Sequence, residues 1–346
     1  MSKAARRYGE QDQEHYDRPR RRTRPRTKDR PSYDDAVDGT VLRVDRGRLR
    51  VRLDDRAGSP APVTAMKARP LGRKAVVVGD RVRLVGDTSG DEGSLARIVE
   101  IRERSTTLRR TADDEDPIER IVVANADQLV VVASLADPEP RARLIDRAVV
   151  AAYVAGMEPL LCLTKADLAS PDALVDTYRA LGVPWVVARR DRDPAEVRER
   201  LAGRVSVLVG PSGVGKSTLV NALVPGADRE TGGVNTVTGR GRHTSTQVLM
   251  LPLPPEASGD AEGAAGWIVD TPGIRSFGLA HVGPDDLLAA FTDLDEAASD
   301  CPRGCDHAAE TPECALDTAV AEGRVEAERV DSFRRLLAAR PRAAGD

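Results

Sequence analysis

The stretch Gly210-Pro211-Ser212-Gly213-Val214-Gly215-Lys216-Ser217-Thr218 decides how this chain is read. It follows Val205-Ser206-Val207-Leu208-Val209, an apolar run that reads as a buried strand. It leads into Leu219 to Leu223, a helix-forming composition. Strand, glycine loop and helix are the context a phosphate-binding loop requires. The glycines let backbone N–H groups turn inward around phosphate oxygens, and the helix N-terminus adds partial positive charge. In this pattern Lys216 reaches the β- and γ-phosphates, and the Ser217 hydroxyl ligates Mg2+.

Two further motifs turn a generic phosphate site into a nucleotide switch. Pro159-Leu160-Leu161-Cys162-Leu163 is a buried strand capped by Thr164-Lys165-Ala166-Asp167. A carboxylate there can accept both the ring N–H and the exocyclic amine of guanine, a match adenine cannot offer. Lys165 can lie along the base and ribose. Downstream, Trp267-Ile268-Val269-Asp270-Thr271-Pro272-Gly273 is a strand ending in an Asp-x-x-Gly turn. Asp270 holds a water on Mg2+ in such a turn, and the Gly273 N–H meets the γ-phosphate. Between them lies Gly239-Arg240-Gly241-Arg242-His243-Thr244-Ser245-Thr246, a basic, hydroxyl-rich loop. Its composition suits a segment ordered by a γ-phosphate and Mg2+, with Thr244 the candidate for the further hydroxyl ligand.

The order is unusual. Base recognition ordinarily comes last in a GTP-binding domain; here it precedes the phosphate loop by about 45 residues. A cyclic reordering keeps the same strands in the same sheet where the usual termini lie close together. Around these motifs, Ile121 to Ala133 contains two apolar strands about a polar turn, Arg141 to Ala155 has helical periodicity, and Trp185-Val186-Val187-Ala188 is another strand. Strands alternating with helices predict a mostly parallel sheet covered on both faces.

Upstream the pattern differs. Gly39 to Val44 and Leu49 to Leu53 alternate around a turn at Asp45-Arg46-Gly47, and Val63 to Ala68, Arg81 to Val85 and Ala96 to Ile101 are further short strands. About five strands without a helical period predict a small antiparallel barrel such as an OB-fold, which strand count alone does not separate from an SH3-like barrel. Arg43, Arg50, Arg52, Arg81, Arg83 and Arg97 fall at outward positions, either a solvated face or a surface for RNA. Before the barrel, residues 1–35 are polar, and Arg18 to Arg30 holds eight basic residues against one acidic. Such a segment is expected to be disordered, either a solvated tail or an arm for phosphate backbones.

At the other end, Cys301-Pro302-Arg303-Gly304-Cys305-Asp306-His307 and then Cys314 bring three of the four cysteines within fourteen residues of one another, with a histidine among them. Three thiolates and an imidazole suit one closed, structural zinc site. Helical stretches flank it at about Asp285 to Ala298 and Leu316 to Ala339. Cys162 lies in an apolar strand and is expected to be a core residue.

The totals agree with this reading. At 346 residues there is room for two or three domains, and 3% aromatics means cores of aliphatic side chains. A net charge of −3 names no partner, and four cysteines argue against a disulfide scaffold. No apolar segment reaches membrane-spanning length, so a cytoplasmic protein without a membrane partner is expected. The expected division is a tail over 1–35, a small β-barrel over 36–106, a permuted α/β P-loop domain over 107–284 and a mainly helical zinc-binding domain over 285–346.

Together these residues resemble the RsgA (YjeQ) family of ribosome small-subunit-dependent GTPases. The resemblance rests on the barrel, the order Thr164–Asp167, Gly210–Thr218, Gly241–Thr246, Asp270–Gly273, and the late Cys/His cluster. It implies GTP hydrolysis to GDP and phosphate, stimulated by the small ribosomal subunit during late maturation of that subunit. It also implies contact of the barrel and zinc domains with ribosomal RNA, and a monomer. The chain departs from the family in four respects, one of them a His307 to Cys314 spacing one residue longer than the family's. Its first cysteine pair is spaced Cys-x3-Cys, not Cys-x4-Cys; Val187-Ala188 stands where Ser-Ala is expected; and Ser245 replaces a threonine.

Ile274, just after Asp-x-x-Gly, occupies the position where many GTPases carry a water-orienting glutamine. His243 is the best local candidate for that role, able to hydrogen-bond or accept a proton, and the resemblance points to it too. Its other reading is an RNA-facing or merely exposed side chain. Two other classes compete with a GTPase: an RNA-binding scaffold with incidental hydrolysis, which Ile274 favours, and a P-loop kinase or ATPase, which Asp167 disfavours.

Overall fold

The computed structural model describes residues 33–45, 47–54, 61–72, 75–111, 119–227, 247–254, 266–272, 277, 279 and 282–339. The basic tail up to residue 32 therefore lies outside the described residues, as do His243, Thr244, the rest of Gly239–Thr246, Gly273 and Ile274.

The alternating segments near the start form β1 (Val37–Asp45), β2 (Arg48–Leu53), β3 (Val63–Lys67), β4 (Arg81–Gly86) and β5 (Ala96–Ile101). Their ladder runs β1-β2-β3-β5-β4 and returns to β1, closing a five-stranded barrel. Inward residues such as Val41, Val51, Val82, Leu84 and Ile98 are fully buried. Period-two alternation makes this possible, because every second side chain points to one face. The six arginines are not one uniform surface. Arg50, Arg81 and Arg97 are exposed, but Arg43 pairs with Asp45, Arg83 with Glu100, and Arg52 lies 5.1 Å over the Trp267 ring.

The α/β region contains β6 (Thr107–Arg110), β7 (Arg120–Ala124), β8 (Gln128–Ser134), α1 (Ala142–Val154), β9 (Glu158–Thr164), α2 (Asp172–Arg179), β10 (Trp185–Ala188), α3 (Ala195–Leu201), β11 (Val205–Val209), α4 (Lys216–Leu223), β12 (Leu249–Pro252) and β13 (Trp267–Asp270). β6 and β7 pair only with each other, as an antiparallel hairpin. The main sheet runs β10-β9-β8-β11-β13-β12, parallel except for β12. Along β8, Leu129, Val131 and Ala133 enter one core with α1 and α2, while Val130 and Val132 enter the other with α3 and α4. Burial on both faces explains why these strands read as unbroken apolar runs.

The barrel and the parallel sheet are hydrogen-bonded into one eleven-stranded ladder, because β1 also pairs with β12 at Arg43 and Leu249. Gln247 Nε2 donates to Asp45 Oδ1 at 2.8 Å beside that pairing. A second joint lies at Val77–Asp80. Gly79 N–H donates to the Val41 carbonyl, Ala124 N–H to Val78, and the Asn125 amide to Gly79. Gly79 has φ +86°, and a Cβ there would sit 2.0 Å from the Ala124 oxygen, so only glycine fits. Beside it the fully buried Asp80 takes two bonds from Arg104, at 2.7 and 2.9 Å.

The C-terminal helices are shorter than the two long stretches expected. They are α5 (Pro284–Leu288), α6 (Thr292–Ala297), α7 (Ala315–Ala321) and α8 (Ala327–Ala338). The first stretch breaks at Phe291, which has β-like φ and packs edge-on to Tyr153 and Phe333 at 4.8 and 5.7 Å. Leu287, Leu294, Leu316, Phe333 and Leu336 share the core that α1 lines. Arg329 forks onto Asp293 and donates to the Ala180 carbonyl, while Arg335 reaches the buried Asp146–Tyr178 pair. Asp35–Asp346 thus forms one compact unit. Among the described residues no helix is long and apolar enough to cross a membrane.

Candidate functional site

Parallel strands bring their carboxyl ends to one edge, and that edge collects the motifs. Leu208 is paired with Asp270, Val209 with Val131, Ser134 with Thr164, and Thr164 with Ala188. Residues far apart in the chain therefore emerge side by side, in the crevice where open α/β sheets bind ligands.

The phosphate loop leaves β11 and enters α4 at Lys216. A Cβ on Gly210 would lie 2.5 Å from the Val132 carbonyl, so the loop can cross β8 only without a side chain there. Lys216 Nζ donates to the Thr271 carbonyl at 2.6 Å and lies 3.2 Å from Asp270 Oδ1. Thr271 Oγ1 donates to the Leu208 carbonyl at 2.6 Å, fixing the turn after β13 against β11. The lysine and the acid of two separate motifs are thus in direct contact. Asp270 at the end of β13 and the Ser217 hydroxyl in the first turn of α4 are hard oxygen donors of the kind Mg2+ carried by a nucleotide takes.

On the base side, Thr164 is 5% exposed. Its hydroxyl donates to the Val214 carbonyl of the phosphate loop at 2.5 Å, with the Ala133 carbonyl at 3.3 Å. Lys165 takes φ +59° and its ammonium donates to the Asp137 carbonyl in the loop after β8. Arg189 follows β10 directly; its guanidinium forks onto Asp191 and reaches the Ala166 carbonyl. Sequence reasoning missed Arg189, whose only signal was its place after Val187-Ala188. Cys162 is buried in β9, and burial pushes its thiol up to about 12, as befits an inert core residue.

The second centre lies before α7. The ligand atoms of Cys301, Cys305, His307 and Cys314 all lie within 4.8 Å of one another. His307 Nδ1 is 3.6, 3.5 and 3.9 Å from the three sulfurs. Tetrahedral zinc with ordinary bond lengths places nitrogen and sulfur about 3.6 Å apart. The four side chains therefore fit the ion in spite of the one-residue changes in spacing on either side of His307. His307 Nε2 faces Asp285 Oδ1 at 3.4 Å, and Ala315 N–H donates to Cys301 Sγ at 3.2 Å, contacts that orient metal ligands. Arg334 closes the site, donating to the His307 carbonyl and forking onto Asp317, whose carboxyl it holds below its usual range.

The RsgA GTPase family profile matches residues 101–280, the hairpin and the whole P-loop region. The chain belongs to the RsgA GTPase family. It is accordingly a GTP-hydrolysing enzyme. The small ribosomal subunit biogenesis GTPase RsgA of Pseudomonas aeruginosa is 41% identical over 276 residues, covering 77% of this chain and 76% of that protein. Its namesake from Azotobacter vinelandii is also 41% identical over the same shares. Among solved structures, YjeQ from Thermotoga maritima aligns with a TM-score of 0.63 at 24% identity, covering 88% of this chain and 98% of its own. YloQ, described as a circularly permuted GTPase, gives 0.61 at 23%, covering 90% and 97%. The chain shares the fold of these YjeQ-type structures over most of its length, and its own barrel is closed by the β4–β1 pairing.

Proposed function

We propose that this GTPase acts in maturation of the small ribosomal subunit. It binds the subunit and its ribosomal RNA as a cytoplasmic monomer and hydrolyses GTP when the subunit orders the loop around His243. The relatives' biogenesis role supports the partner. One observation carries the site: the guanine motif, the phosphate loop and Asp270 share one sheet edge, with Lys216 against Asp270 and Thr164 against Val214.

In this reading the backbone N–H groups of Gly210–Thr218 hold the phosphates, Lys216 reaches the β- and γ-phosphates, and Asp167 reads the base beside Lys165. Thr164 contributes by tying the base turn to the phosphate loop. Ser217, Thr244 and Asp270 would hold Mg2+, which would supply neutralisation of charge on the phosphates. The Gly273 N–H meets the γ-phosphate, and His243 orients a water. The water oxygen bonds to the γ-phosphorus as the bond to the β-phosphate oxygen breaks, and GDP leaves. One structural zinc sits on Cys301, Cys305, His307 and Cys314. The working division is the barrel over 36–106, the GTPase over 107–284 and the zinc-bearing helices over 285–346.

Dependence on a partner follows from the chain itself. Ile274 cannot orient water, and a catalytic group on a loop acts once the loop is ordered. The strand that follows that loop in sequence, β12, is hydrogen-bonded to the barrel, which supports a reading in which a partner bound at the barrel acts on the loop. Ile274 equally favours a scaffold with incidental hydrolysis. Turnover of GTP and ATP with and without purified small subunits separates the readings. Subunit-stimulated GTP turnover that His243→Ala abolishes, with GDP affinity retained, supports the proposal. Absence of stimulation supports the scaffold, and a preference for ATP overturns the base assignment.

A further inference from the structure

β9 and β10 are parallel neighbours, with Thr164 opposite Ala188, so Lys165 and Arg189 leave the sheet together. The turn that carries Asp167 begins with Lys165 at φ +59°, a left-handed conformation that side chains disfavour. Such a turn persists only when its surroundings hold it. Arg189 supplies a hold. Its Nε and Nη2 fork onto Asp191, both at 3.0 Å, which fixes the plane of the guanidinium. The remaining nitrogen, Nη1, donates to the Ala166 carbonyl at 3.4 Å. That oxygen and the Asp167 N–H belong to one rigid peptide plane, so holding the oxygen sets the direction in which Asp167 leaves the chain. The fork with Asp191 strengthens the hold of Arg189 on its proton, and the charge of Asp167 adds to this, which places the base-reading carboxylate within electrostatic reach of the guanidinium.

We propose that Arg189 is a positioning residue for guanine specificity: braced by Asp191, it fixes the Ala166–Asp167 peptide so that the Asp167 carboxylate meets both guanine N–H donors. This rests on Asp167 being the base reader. Arg189 touches no reacting atom, and its effect is read in base discrimination. Inosine diphosphate tests this directly, because it keeps the ring N–H of guanine and lacks the exocyclic amine. A carboxylate held in place accepts from both groups of GDP and from only one of IDP. A carboxylate free to swing loses the two-point match first.

The experiment measures GDP, IDP and xanthosine diphosphate affinities on the full chain. Arg189→Ala is expected to weaken GDP more than IDP and to lower the GDP-over-IDP preference by about threefold or more, a fraction of what one hydrogen bond to a charged group is worth. Asp191→Asn, which releases the fork, lowers the preference in the same direction. Arg189→Lys, which keeps the charge without the fork, also lowers it. An unchanged preference in Arg189→Ala, whether GDP and IDP bind as before or weaken equally, overturns the proposal. So does full preference in Arg189→Lys. Asp167→Asn is the control for the underlying reading. Its amide can donate to the extra carbonyl of xanthine, so this variant is expected to favour xanthosine diphosphate over GDP. If it does not, the base assignment itself fails, independently of Arg189.

Discussion

Thr164→Val asks whether the base turn and the phosphate loop are one mechanical unit. The exchange keeps the shape and removes a single hydroxyl. That hydroxyl donates to the Val214 carbonyl at 2.5 Å, and both residues are buried. Leaving a buried carbonyl without its donor costs about 1–3 kcal/mol. Where that free energy appears is the point of the test. The loop carries glycines at 210, 213 and 215, whose backbone freedom is wide. If the Thr164 tether is what narrows it, the loop loosens in the free protein and must be re-ordered on binding. The loss then shows in GDP affinity, about 5- to 150-fold at that cost. If the loop is rigid without the tether, free and bound states lose equally, and only thermal stability falls. Calorimetric titration of GDP into wild type, Thr164→Val and Thr164→Ser, beside their thermal midpoints, decides. The expected result is weakened GDP binding in the valine variant, restored by serine. A lowered midpoint with GDP affinity within about twofold of wild type refutes the tether.

Two further outcomes concern the C-terminal helices. Metal analysis is expected to find one zinc per chain, and chelation or Cys314→Ser to lower the thermal midpoint. Hydrogen-exchange protection should fall first in α7, where Leu316 and Ala319 join the common core just after the last cysteine, and later in the barrel; a metal-free protein of unchanged stability would sink this. Acid should weaken the same region. Asp293 and Asp317 are held below their usual range, first of all by hydrogen bonds from Arg329 and Arg334. Lowered folded values mean that their stabilisation is complete above about pH 4 and lost as pH falls through those values. Both carboxylates are about half exposed, so the Asp293→Asn, Asp317→Asn double variant should differ from wild type by only about 2–4 °C at neutral pH and converge with it as pH falls below the lowered folded values.

The parts of this molecule that could be read from its sequence are those whose reason is local. Barrel strands announce themselves by alternation, sheet strands by apolar runs, and the motifs by fixed spacing. What escaped depends on partners distant in the chain. β12 is four residues long and ends in proline, too little to read alone, and it exists because Leu249 has Asp270 on one side and Arg43 on the other. β6 is polar at Arg109 and Arg110 and pairs only with β7. Arg189 acquires its contacts from the parallel register of β9 and β10, which no spacing rule contains. The first expected long helix is interrupted because Phe291 is drawn between Tyr153 and Phe333, a tertiary demand that overrides local helix preference, and the second is divided between α7 and α8, where Gly323 takes φ +71°.

The permutation gives these long-range contacts a common logic. With the base-reading strand moved ahead of the phosphate loop, the GTPase region is entered through the barrel and left just after Asp270. Each extension then lies against a segment that adjoins one of the motifs in the sequence. At the entry, β1 is laid on β12, the strand that follows the His243 loop. At the exit, the chain after Asp-x-x-Gly places Phe277, Leu279 and Val282 in the core that α1 shares with α5, α6, α7 and α8. A sheet ladder and a packed core are both poorly compressible, so neither attachment can shift without its neighbours. In an unpermuted order the chain would enter at the phosphate loop and leave after the base-reading strands, so extensions at its ends would not continue from Asp-x-x-Gly. The reordering therefore keeps the motif-bearing strands on one sheet edge and changes which elements their flanking segments join.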